Sequence, residues 1–484
     1  MSLAPSARSV PDVPRSFIDG AWVASAGRGT FELVDPATGD RLGIFPCGCA
    51  ADADRAVAAA SGAAAPWART APAERAAYLR RAAGRLRERL DVVAEVQTME
   101  MGKPIGDSIG GVEAAIGAIE QYAELGPLHR GASLQGGWDA LDLMVFEPRG
   151  VVAVITPWND PVAIAAQNVA AALAAGNTVV FKPSERSPLS GIALVEAFDV
   201  PPGVLNLVLG DGAAGRAIVE DPRVDAVIHV GSTATGRAIA AACARTGAKA
   251  LLENGGKDAL LIDEGVDPAW AAAQAATGSF ANAGQICTSV ERIFVHQALA
   301  EDFLAALVER AEALVVGAGL DPETTMGPLV DRRQRDIVHA QVAQAVSAGA
   351  RVLTGGSVPG GPGSFYPPTV VTGVTDGMQL FTEETFGPVA AVAVVESFDE
   401  ALARAAGSAY GLAATVLTPS QGNAQRAVRD LPAGTVKVNA VWGGAPGGSA
   451  QPRKSSGEGF GYGPELLDEL TRVKVVHYAP YRPS

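Results

Sequence analysis

The stretch VVAVITPWNDPVAIAAQNVAAALAAGNTVVFK, residues 151–182, sets two short apolar runs on either side of an alanine-rich segment. The runs 151–155 and 178–181 have the length and composition of buried strands, and 161–175 has those of a helix. The alternation continues downstream, with predicted helices at 188–198, 213–220 and 233–245 and predicted strands at 204–209, 226–230 and 250–252. Unbroken apolar strands separated by helices predict a parallel sheet covered on both faces, which binds ligands at the carboxyl ends of its strands.

A second unit of the same kind follows Lys257, with predicted strands at 259–262 and 292–295 and predicted helices at 268–282 and 300–316. It extends to about Asn439, with a Gly/Pro-rich break at 355–365. Upstream of both units, 17–45 is typical of short strands and 51–101 of helices. Residues 128–145 and 471–481 resemble short strands outside both units, and such strands often pair across a subunit interface.

The composition is that of a compact α/β protein of 484 residues with a formal charge of −14. That charge disfavours nucleic acid or anionic lipid as the main partner, because both require a basic surface. The N-terminal residues 1–17 lack the apolar core of a secretion signal, and the alanine-rich stretch 163–175 is too short to span a bilayer. Four cysteines without a CxxC pair predict a cytoplasmic protein with neither a disulfide framework nor a metal site.

Three side chains near predicted strand ends carry the components of acyl chemistry: Cys287, Glu253 and Asn159. A thiol can attack carbon, a carboxylate can activate water, and an amide can hold an oxyanion. Each also has a structural interpretation: a buried small hydrophobe for Cys287, an ion pair with Lys257 for Glu253, and a turn position for Asn159. Because all three lie at the same predicted sheet edge, we favour the chemical interpretation.

Two glycine-rich segments are candidates for a dinucleotide site. Residues 210–215 match GxGxxG, but the acid expected at the end of the next strand is missing. Residues 231–236 follow a strand and open a helix, whose free N–H groups can meet a pyrophosphate, and are the better candidate. Lys182 and Glu185, after the strand 178–181, suit ribose hydroxyls. The carboxylate repels a 2′-phosphate, which favours NAD over NADP.

Six motifs in this order and spacing resemble those of the NAD(P)-dependent aldehyde dehydrogenase superfamily, over nearly the whole chain from about Phe17. They are Pro157-Trp158-Asn159, Lys182-Pro183-Ser184-Glu185, Gly231-Ser232-Thr233, Glu253-Asn254-Gly255-Gly256-Lys257, Gly284-Gln285-Ile286-Cys287 and Glu384-Thr385-Phe386-Gly387-Pro388. The resemblance implies an α/β fold with two doubly wound parallel-sheet domains and a small β oligomerisation extension. The NAD-binding domain would comprise residues 1–126 and 149–252, the catalytic domain 253–455, and the extension 127–148 and 456–484. A homodimer or homotetramer is implied.

The resemblance also implies residue roles. Cys287 would be the nucleophile, Asn159 the oxyanion donor and Glu253 the base that hydrolyses a thioester, converting an aldehyde to its acid. The implied contacts to NAD, with NADP possible, are Ile155, Thr156, Pro157, Trp158, Lys182, Ser184, Glu185, Gly212, Gly215, Ser232, Glu384 and Phe386. The implied substrate pocket comprises Asp160, Ile164, Gln167, Ile286, Thr288 and Ala450.

Several residues depart from the family pattern. Asp160 and Gln167 stand where relatives often carry aromatic residues, and Phe460-Gly461 replaces an Arg-Glu pair. Residues 449–457 replace a usual Pro-Phe-Gly-Gly-x-Lys-x-Ser-Gly. These changes predict a wide, polar substrate tunnel. Two alternatives stay open: a non-catalytic relative and a coenzyme A-acylating member, although acylating members generally lack a glutamate at position 253. A serine hydrolase is the least favoured class.

Overall fold

A computed structural model describes residues 15–445 and 447–482. Its strands are β1 (Ser16–Ile18), β2 (Ala21–Val23), β3 (Thr30–Val34), β4 (Arg41–Pro46), β5 (Ala132–Leu134), β6 (Leu141–Pro148), β7 (Val151–Ile155), β8 (Thr178–Lys182), β9 (Leu205–Leu207), β10 (Ala226–Val230), β11 (Lys249–Glu253), β12 (Asp258–Ile262), β13 (Val290–His296), β14 (Arg351–Thr354), β15 (Thr369–Thr372), β16 (Val389–Val395), β17 (Tyr410–Gly411), β18 (Ala413–Leu417), β19 (Thr435–Val438), β20 (Arg453–Lys454), β21 (Gly457–Glu458) and β22 (Thr471–Tyr478).

The helices alternate with these strands through both large units. They are α1 (Ala50–Arg69), α2 (Pro72–Glu88), α3 (Leu90–Met101), α4 (Ile105–Leu128), α5 (Pro161–Ala174), α6 (Pro188–Val195), α7 (Gly212–Val219), α8 (Thr233–Thr246), α9 (Pro268–Phe280), α10 (Ala300–Glu312), α11 (Arg332–Ser347), α12 (Gln379–Thr382), α13 (Phe398–Ala406), α14 (Gln421–Asp430) and α15 (Glu465–Glu469). Within the described ranges, none of these helices combines the length and the apolarity needed to cross a bilayer.

The first large sheet has the order β2-β1-β9-β8-β7-β10-β11-β21. Its five central strands are parallel, and β7 and β10 are neighbours although two strands separate them in sequence. Every residue of β7 and β8 is buried, as their unbroken apolar sequence predicts for strands covered on both faces. The strand order reverses between β7 and β10, and open α/β sheets bind ligands in the crevice at such a point.

The second large sheet has the order β14-β15-β16-β13-β12-β18-β19 and carries its own apolar core. Its strands are parallel except for β14, which pairs antiparallel with β15. Because β11 of the first sheet leads through residues 254–257 into β12 of the second, Glu253 lies at the junction of the two units. The doubly wound α/β architecture predicted from the sequence is confirmed.

The two unassigned strand segments pair with each other within the chain. They form a three-stranded sheet, β22-β6-β5, in which β22 runs antiparallel along the whole of β6. The described part of the chain adds no strand beyond β22, and Val473, Val475 and Tyr478 on it are at least half exposed. Residues 457–458 belong to the first sheet rather than to this one. The division into domains otherwise stays a prediction.

The helical prediction for 51–101 resolves into three helices, and a fourth, α4, follows. Most of α4 lies outside the predicted helices, and it contains Gly106, Gly110, Gly111, Gly117 and Gly126. Glycine disfavours an isolated helix, but α4 packs along α2 and α5 and buries one face against them. A turn at Asp19-Gly20 joins β1 to β2, with φ of 53° and 78°.

Candidate active site

The nucleophile loop is residues 281–289, between α9 and β13. Three consecutive residues in it, Asn282, Ala283 and Gly284, have left-handed φ values of 49°, 54° and 70°. Only glycine adopts this conformation freely, so the two other residues are strained by roughly 1 kcal/mol each. At Gly284 a side chain is also excluded, because a Cβ would lie 2.1 Å from the carbonyl oxygen of Gly387.

Two side chains of the nucleophile loop hold this strained backbone in place. The amide nitrogen of Asn282 donates to the carbonyl of Asn159 at 3.2 Å and to that of Gln285 at 3.2 Å. The amide nitrogen of buried Gln285 donates to the carbonyl of Asn282 at 3.0 Å, and its oxygen accepts from the N–H of Val330 at 2.9 Å. Hydrogen bonds from these two side chains therefore hold the loop, and one of them joins it to Asn159, the predicted oxyanion donor.

Cys287 sits in this loop as a partly exposed residue whose sulfur is closely surrounded by protein. Burial raises the pKa of its thiol to about 12, and the charges of Glu253, Asp258 and Glu384 add to the shift. A hydrogen bond from the N–H of Thr288 acts in the opposite direction. The loop around Cys287 is polar, unlike the apolar surroundings of an inert core cysteine.

Glu253 is the last residue of β11 and the carboxylate whose charge acts most strongly on the Cys287 sulfur. Burial raises the pKa of its carboxyl to about 8, and a hydrogen bond from the N–H of Gly461 lowers it. The alternative ion pair with Lys257 is not formed. Lys257 instead pairs with Glu291, with 2.7 Å between Nζ and Oε2, and both side chains are buried.

Asn159 follows β7 and is buried, just before the start of α5. Its carbonyl accepts from Asn282 of the nucleophile loop, which joins the end of the first sheet to the loop that carries Cys287. The structure thus brings the thiol-bearing loop together with both Glu253 and Asn159. The roles of the three residues remain a proposal, developed below.

Glu384 and Phe386 lie between α12 and β16 and contact the residues that follow β11 and β7. Oε1 of Glu384 accepts from the N–H of Gly256 at 3.0 Å, and burial raises the pKa of its carboxyl to about 8. The ring of Phe386 meets that of Trp158 edge-on at a centroid distance of 5.3 Å. Glu291 holds this segment by accepting from the N–H groups of Thr385 and Phe386. Sequence reasoning missed Glu291, since only its place in the fold reveals its role.

The cofactor candidates on the first sheet gather at the carboxyl ends of β7, β8 and β10. The N–H of Thr156, which follows Ile155, donates to the carbonyl of Lys182 at 3.2 Å, so Thr156 and Pro157 pass beside β8. Lys182 is buried, donates to the carbonyl of Pro183 at 2.7 Å and lies 3.9 Å from Glu185. Burial lowers the pKa of its ammonium group. The buried Ser184 accepts from the N–H of Arg186.

The two glycine-rich segments differ in what their helices offer. At α7, which contains Gly212 and Gly215, the side chain of Asp211 caps the N-terminus by accepting from Ala213. At α8 the cap is the hydroxyl of Ser232, which accepts from Thr235 at 3.3 Å. A carboxylate repels a pyrophosphate and a hydroxyl does not, so α8 is the better anion site.

Unpartnered polar atoms around this crevice fit a polar ligand. Within the described ranges, the hydroxyls of Thr156 and Thr233 and both ring nitrogens of His229 are buried without a hydrogen-bond partner. Burial lowers the pKa of His229 to about 4, so the ring is neutral and can donate and accept. Buried polar groups are normally satisfied, which indicates that a bound group completes them. The residues present suit the ribose and phosphates of a dinucleotide.

Comparisons with known proteins agree with this geometry. Residues 22–476 match the model of the aldehyde dehydrogenase family. The chain belongs to that family. It is therefore an NAD(P)-dependent oxidoreductase that acts on aldehydes.

Curated and solved relatives of this aldehyde dehydrogenase cover almost its whole length. A betaine aldehyde dehydrogenase of Cereibacter sphaeroides is 38% identical over 468 residues, which are 95% of this chain and 96% of the relative. The structure of a betaine aldehyde dehydrogenase from Staphylococcus aureus in complex with NAD+ has a TM-score of 0.93 at 32% identity, covering 96% of this chain and 94% of that one. A lactaldehyde dehydrogenase structure has a TM-score of 0.94 at 32% identity, covering 97% and 100%.

The predicted substrate-pocket residues divide into two groups. Asp160 pairs with Lys103, with 3.3 Å between Oδ1 and Nζ, and Gln167 donates to the carbonyl of Gly461 at 2.5 Å. Ile286 and Thr288 flank Cys287 and are partly exposed. Ile164, whose carbonyl accepts from Asn168, and Ala450 are also partly exposed. Their contact with substrate stays a prediction.

One segment of this aldehyde dehydrogenase matches the GxSxG pattern of serine hydrolases, Gly106-Asp107-Ser108-Ile109-Gly110. It lies in the first turns of α4 rather than in a strand-to-helix turn. Ser108 is buried, and its hydroxyl accepts from Thr98 at 2.8 Å. An accessible nucleophile elbow is therefore not formed here.

Proposed function

We propose that this chain oxidises a polar aldehyde to its carboxylic acid with NAD, through a thiohemiacetal and a thioester on Cys287. The observation that carries the proposal is the shared environment of Cys287 and Glu253. The Glu253 carboxylate is the strongest charged influence on the sulfur, and the same loop is tied to Asn159. A nucleophile from the second unit, and a base and an amide from the first, supply the groups that this chemistry needs.

In the first step the sulfur of Cys287 forms a bond to the aldehyde carbon. Since the pKa of the resting thiol is about 12, its proton has to leave as the C–S bond forms. That proton passes to solvent water, whereas Glu253, whose carboxyl has a pKa of about 8, is the general base of the later water attack. The side-chain amide of Asn159 and the backbone N–H of Cys287 stabilise the oxyanion, and removing one such donor costs about 3–4 kcal/mol.

Bound NAD would supply the hydride acceptor for this oxidation, and Cys287 would then hold the acyl group as a thioester. The carboxylate of Glu253 then removes a proton from water, whose oxygen attacks the thioester carbonyl. The C–S bond breaks, and the carboxylic acid and the free thiol are released. Because the base for this water attack is present, hydrolysis is favoured over transfer to coenzyme A.

A preference for NAD over NADP rests on Glu185. Its carboxylate lies 3.9 Å from Nζ of the buried Lys182, beside the place where a ribose would meet the carboxyl end of β8. A phosphate on that ribose would approach a negative charge, whereas two hydroxyls could donate to it. Trp158, Ser184, Ser232, Glu384 and Phe386 are proposed to contact other parts of the cofactor.

A polar substrate is supported by the group around Asp160. Three polar atoms converge on one point beside α4: a Cβ at Gly111 would lie 2.7 Å from Oδ1 of Asp160, 3.1 Å from Nε2 of Gln97 and 3.3 Å from Nζ of Lys103. The Gln97 amide is buried without a partner in the described part of the chain. An aromatic residue at position 160 would make this wall apolar. The relatives named above are called betaine aldehyde and lactaldehyde dehydrogenases, and both names denote polar aldehydes.

We also propose a homodimer or homotetramer built through the sheet β22-β6-β5. The apolar side chains of Val473, Val475 and Tyr478 are exposed on β22, which is an outer strand of that sheet. Exposed strand edges of this kind readily pair with another chain. The four cysteines are free, which suits a reducing compartment, and we place the protein in the cytoplasm.

A substrate panel tests the proposal. Hexanal, a hydroxyaldehyde, betaine aldehyde and a primary aminoaldehyde are each mixed with NAD or NADP, with and without coenzyme A, and NADH or NADPH formation is followed. We expect NADH, a free acid as product, no requirement for coenzyme A and a higher kcat/KM for a polar aldehyde than for hexanal. The Cys287→Ala variant should bind NAD without turnover. A variant that still oxidises aldehydes would remove Cys287 from its role.

A further inference from the structure

The segment 461–463 is held at three successive carbonyl groups. Nε2 of Gln167 donates to the carbonyl of Gly461 at 2.5 Å, Oγ of Ser449 to that of Tyr462 at 2.7 Å, and the hydroxyl of Tyr122 to that of Gly463 at 3.2 Å. The donors come from α5, from the loop before β20 and from α4. Because three separate elements hold it, this segment is restricted to one backbone conformation.

Gly461 lies directly against the carboxylate of Glu253. Its N–H lowers the pKa of that carboxyl, and a Cβ built on Gly461 would lie 2.4 Å from Oε1 of Glu253 and 2.7 Å from Cδ. Real Cβ atoms do not approach so closely, so any side chain at 461 would displace the carboxylate. The glycine and its N–H together define where the Glu253 carboxylate rests.

Gln167 is the residue that acts on Gly461 from the other side. Its amide nitrogen donates to the Gly461 carbonyl, so one of its two N–H donors is used within the protein. Gln167 lies on α5, whose N-terminus follows Asn159. A displacement of α5 that moves Asn159, the proposed oxyanion donor, would therefore also move Gln167, which holds Gly461 beside Glu253.

We propose that Gln167 is a positioning residue for the general base, which it orients by holding the Gly461 carbonyl so that the Gly461 N–H points at Glu253. The inference rests on the proposed function, because it assigns Gln167 to the step in which Glu253 activates water. The Gly461 N–H stabilises the ionised carboxylate when it points at Glu253. Loss of the hydrogen bond from Gln167 misaligns this N–H, which raises the pKa of Glu253 and slows hydrolysis of the thioester at neutral pH. The acylation step, which needs the loop of Cys287, is affected less.

The test is the decay of the acyl-enzyme. Each protein is mixed with NAD and one aldehyde at a series of pH values, quenched with acid at set times, and the acyl group on Cys287 is quantified by intact mass. In Gln167→Met, which keeps the size of the side chain and removes its donor, we expect acylation close to wild type. Decay at pH 7 should be about threefold slower, and its midpoint should move to higher pH by roughly half a unit.

Two further variants separate the possible causes. Ser449→Ala removes a donor from the neighbouring carbonyl and should leave the pH profile of decay in place. Gly461→Ala should shift the profile in the same direction as Gln167→Met, because the added methyl displaces the carboxylate. The inference is overturned if Gln167→Met changes only KM, or if Ser449→Ala moves the profile equally. Glu253→Gln distinguishes the deeper failure: decay at the wild-type rate in that variant overturns both this inference and the proposed role of Glu253.

Discussion

The ammonium group of Lys257 lies 2.7 Å from the carboxylate of Glu291, and both side chains are buried. The pair adjoins the segment that carries Glu384 and Phe386. The same Nζ donates to the hydroxyl of Thr385 at 2.9 Å, and Glu291 accepts from two backbone N–H groups of that segment. Burial lowers the pKa of Lys257, while the Glu291 charge opposes that change. The pair therefore links Lys257, which precedes β12, to the segment 384–386.

Removing one partner of this pair should be costly. Lys257→Met leaves the Glu291 carboxylate buried and unpaired, and we expect the free energy of unfolding to fall by about 3–5 kcal/mol. Lys249→Met is the matched control, because its ion pair with Glu469 is partly exposed and should contribute about 1 kcal/mol or less. Urea unfolding of both variants checks this. Equal losses would show that the buried pair has no special weight.

The pH dependence of turnover should follow the ionisation of Glu253. Its carboxyl must be deprotonated to take a proton from water, and its pKa is raised to about 8. We therefore expect kcat to be low at pH 6, to rise through about pH 8 and to level off above it. Glu253→Gln should lose this rise together with most of the activity. A wild-type profile that is flat between pH 6 and 9 would contradict the assignment.

Asn282 should matter for both stability and rate. Asn282→Ala keeps a left-handed φ of 49° without the asparagine side chain that ties it to Asn159 and Gln285. We expect a loss of about 2 kcal/mol in the free energy of unfolding and a fall of about tenfold in kcat.

Asp19→Ala is the control for Asn282→Ala, because Asp19 has a similar φ of 53° in the turn between β1 and β2, at the edge of the first sheet. It should lower stability by about 1 kcal/mol with kcat unchanged. Unfolding curves and steady-state rates separate the two effects. An equal fall in kcat for both variants would remove the special role of the nucleophile loop.

The choice between NAD and NADP should respond to Glu185. Glu185→Gln removes the negative charge and keeps the size of the side chain, so the ratio of kcat/KM for NADP to that for NAD should rise about fivefold to tenfold. Glu220→Gln, whose carboxylate pairs with Arg245 on the surface, is the control and should leave the ratio unchanged. A ratio unmoved by Glu185→Gln would assign cofactor choice to other groups.

The sequence predicted what depends on local pattern. The strands at 151–155 and 226–230 have the predicted bounds, because an unbroken apolar run between turn residues leaves little freedom of assignment. Helix α4 lies outside the predicted helices, since its five glycines hide a helix that tertiary packing stabilises.

Contacts between residues far apart in the sequence could not be predicted from it. Gln167 and Gly461 are 294 positions apart, and no periodicity connects them. Likewise, Lys257 adjoins the predicted Glu253 in sequence and finds its partner at Glu291 in space. Charge type was readable from the chain, but the partner of each charge was not.

The short strand β21 closes the far edge of the first sheet by pairing Leu252 with Glu458 and Glu253 with Gly457. A polypeptide emerging from the ribosome therefore exposes the bare flank of β11 until residues 457–458 have been synthesised. A message truncated before codon 457 would yield a product whose open strand invites aggregation, and which lacks the glycine that seats the base. Acquisition of activity therefore requires synthesis to proceed beyond Gly461.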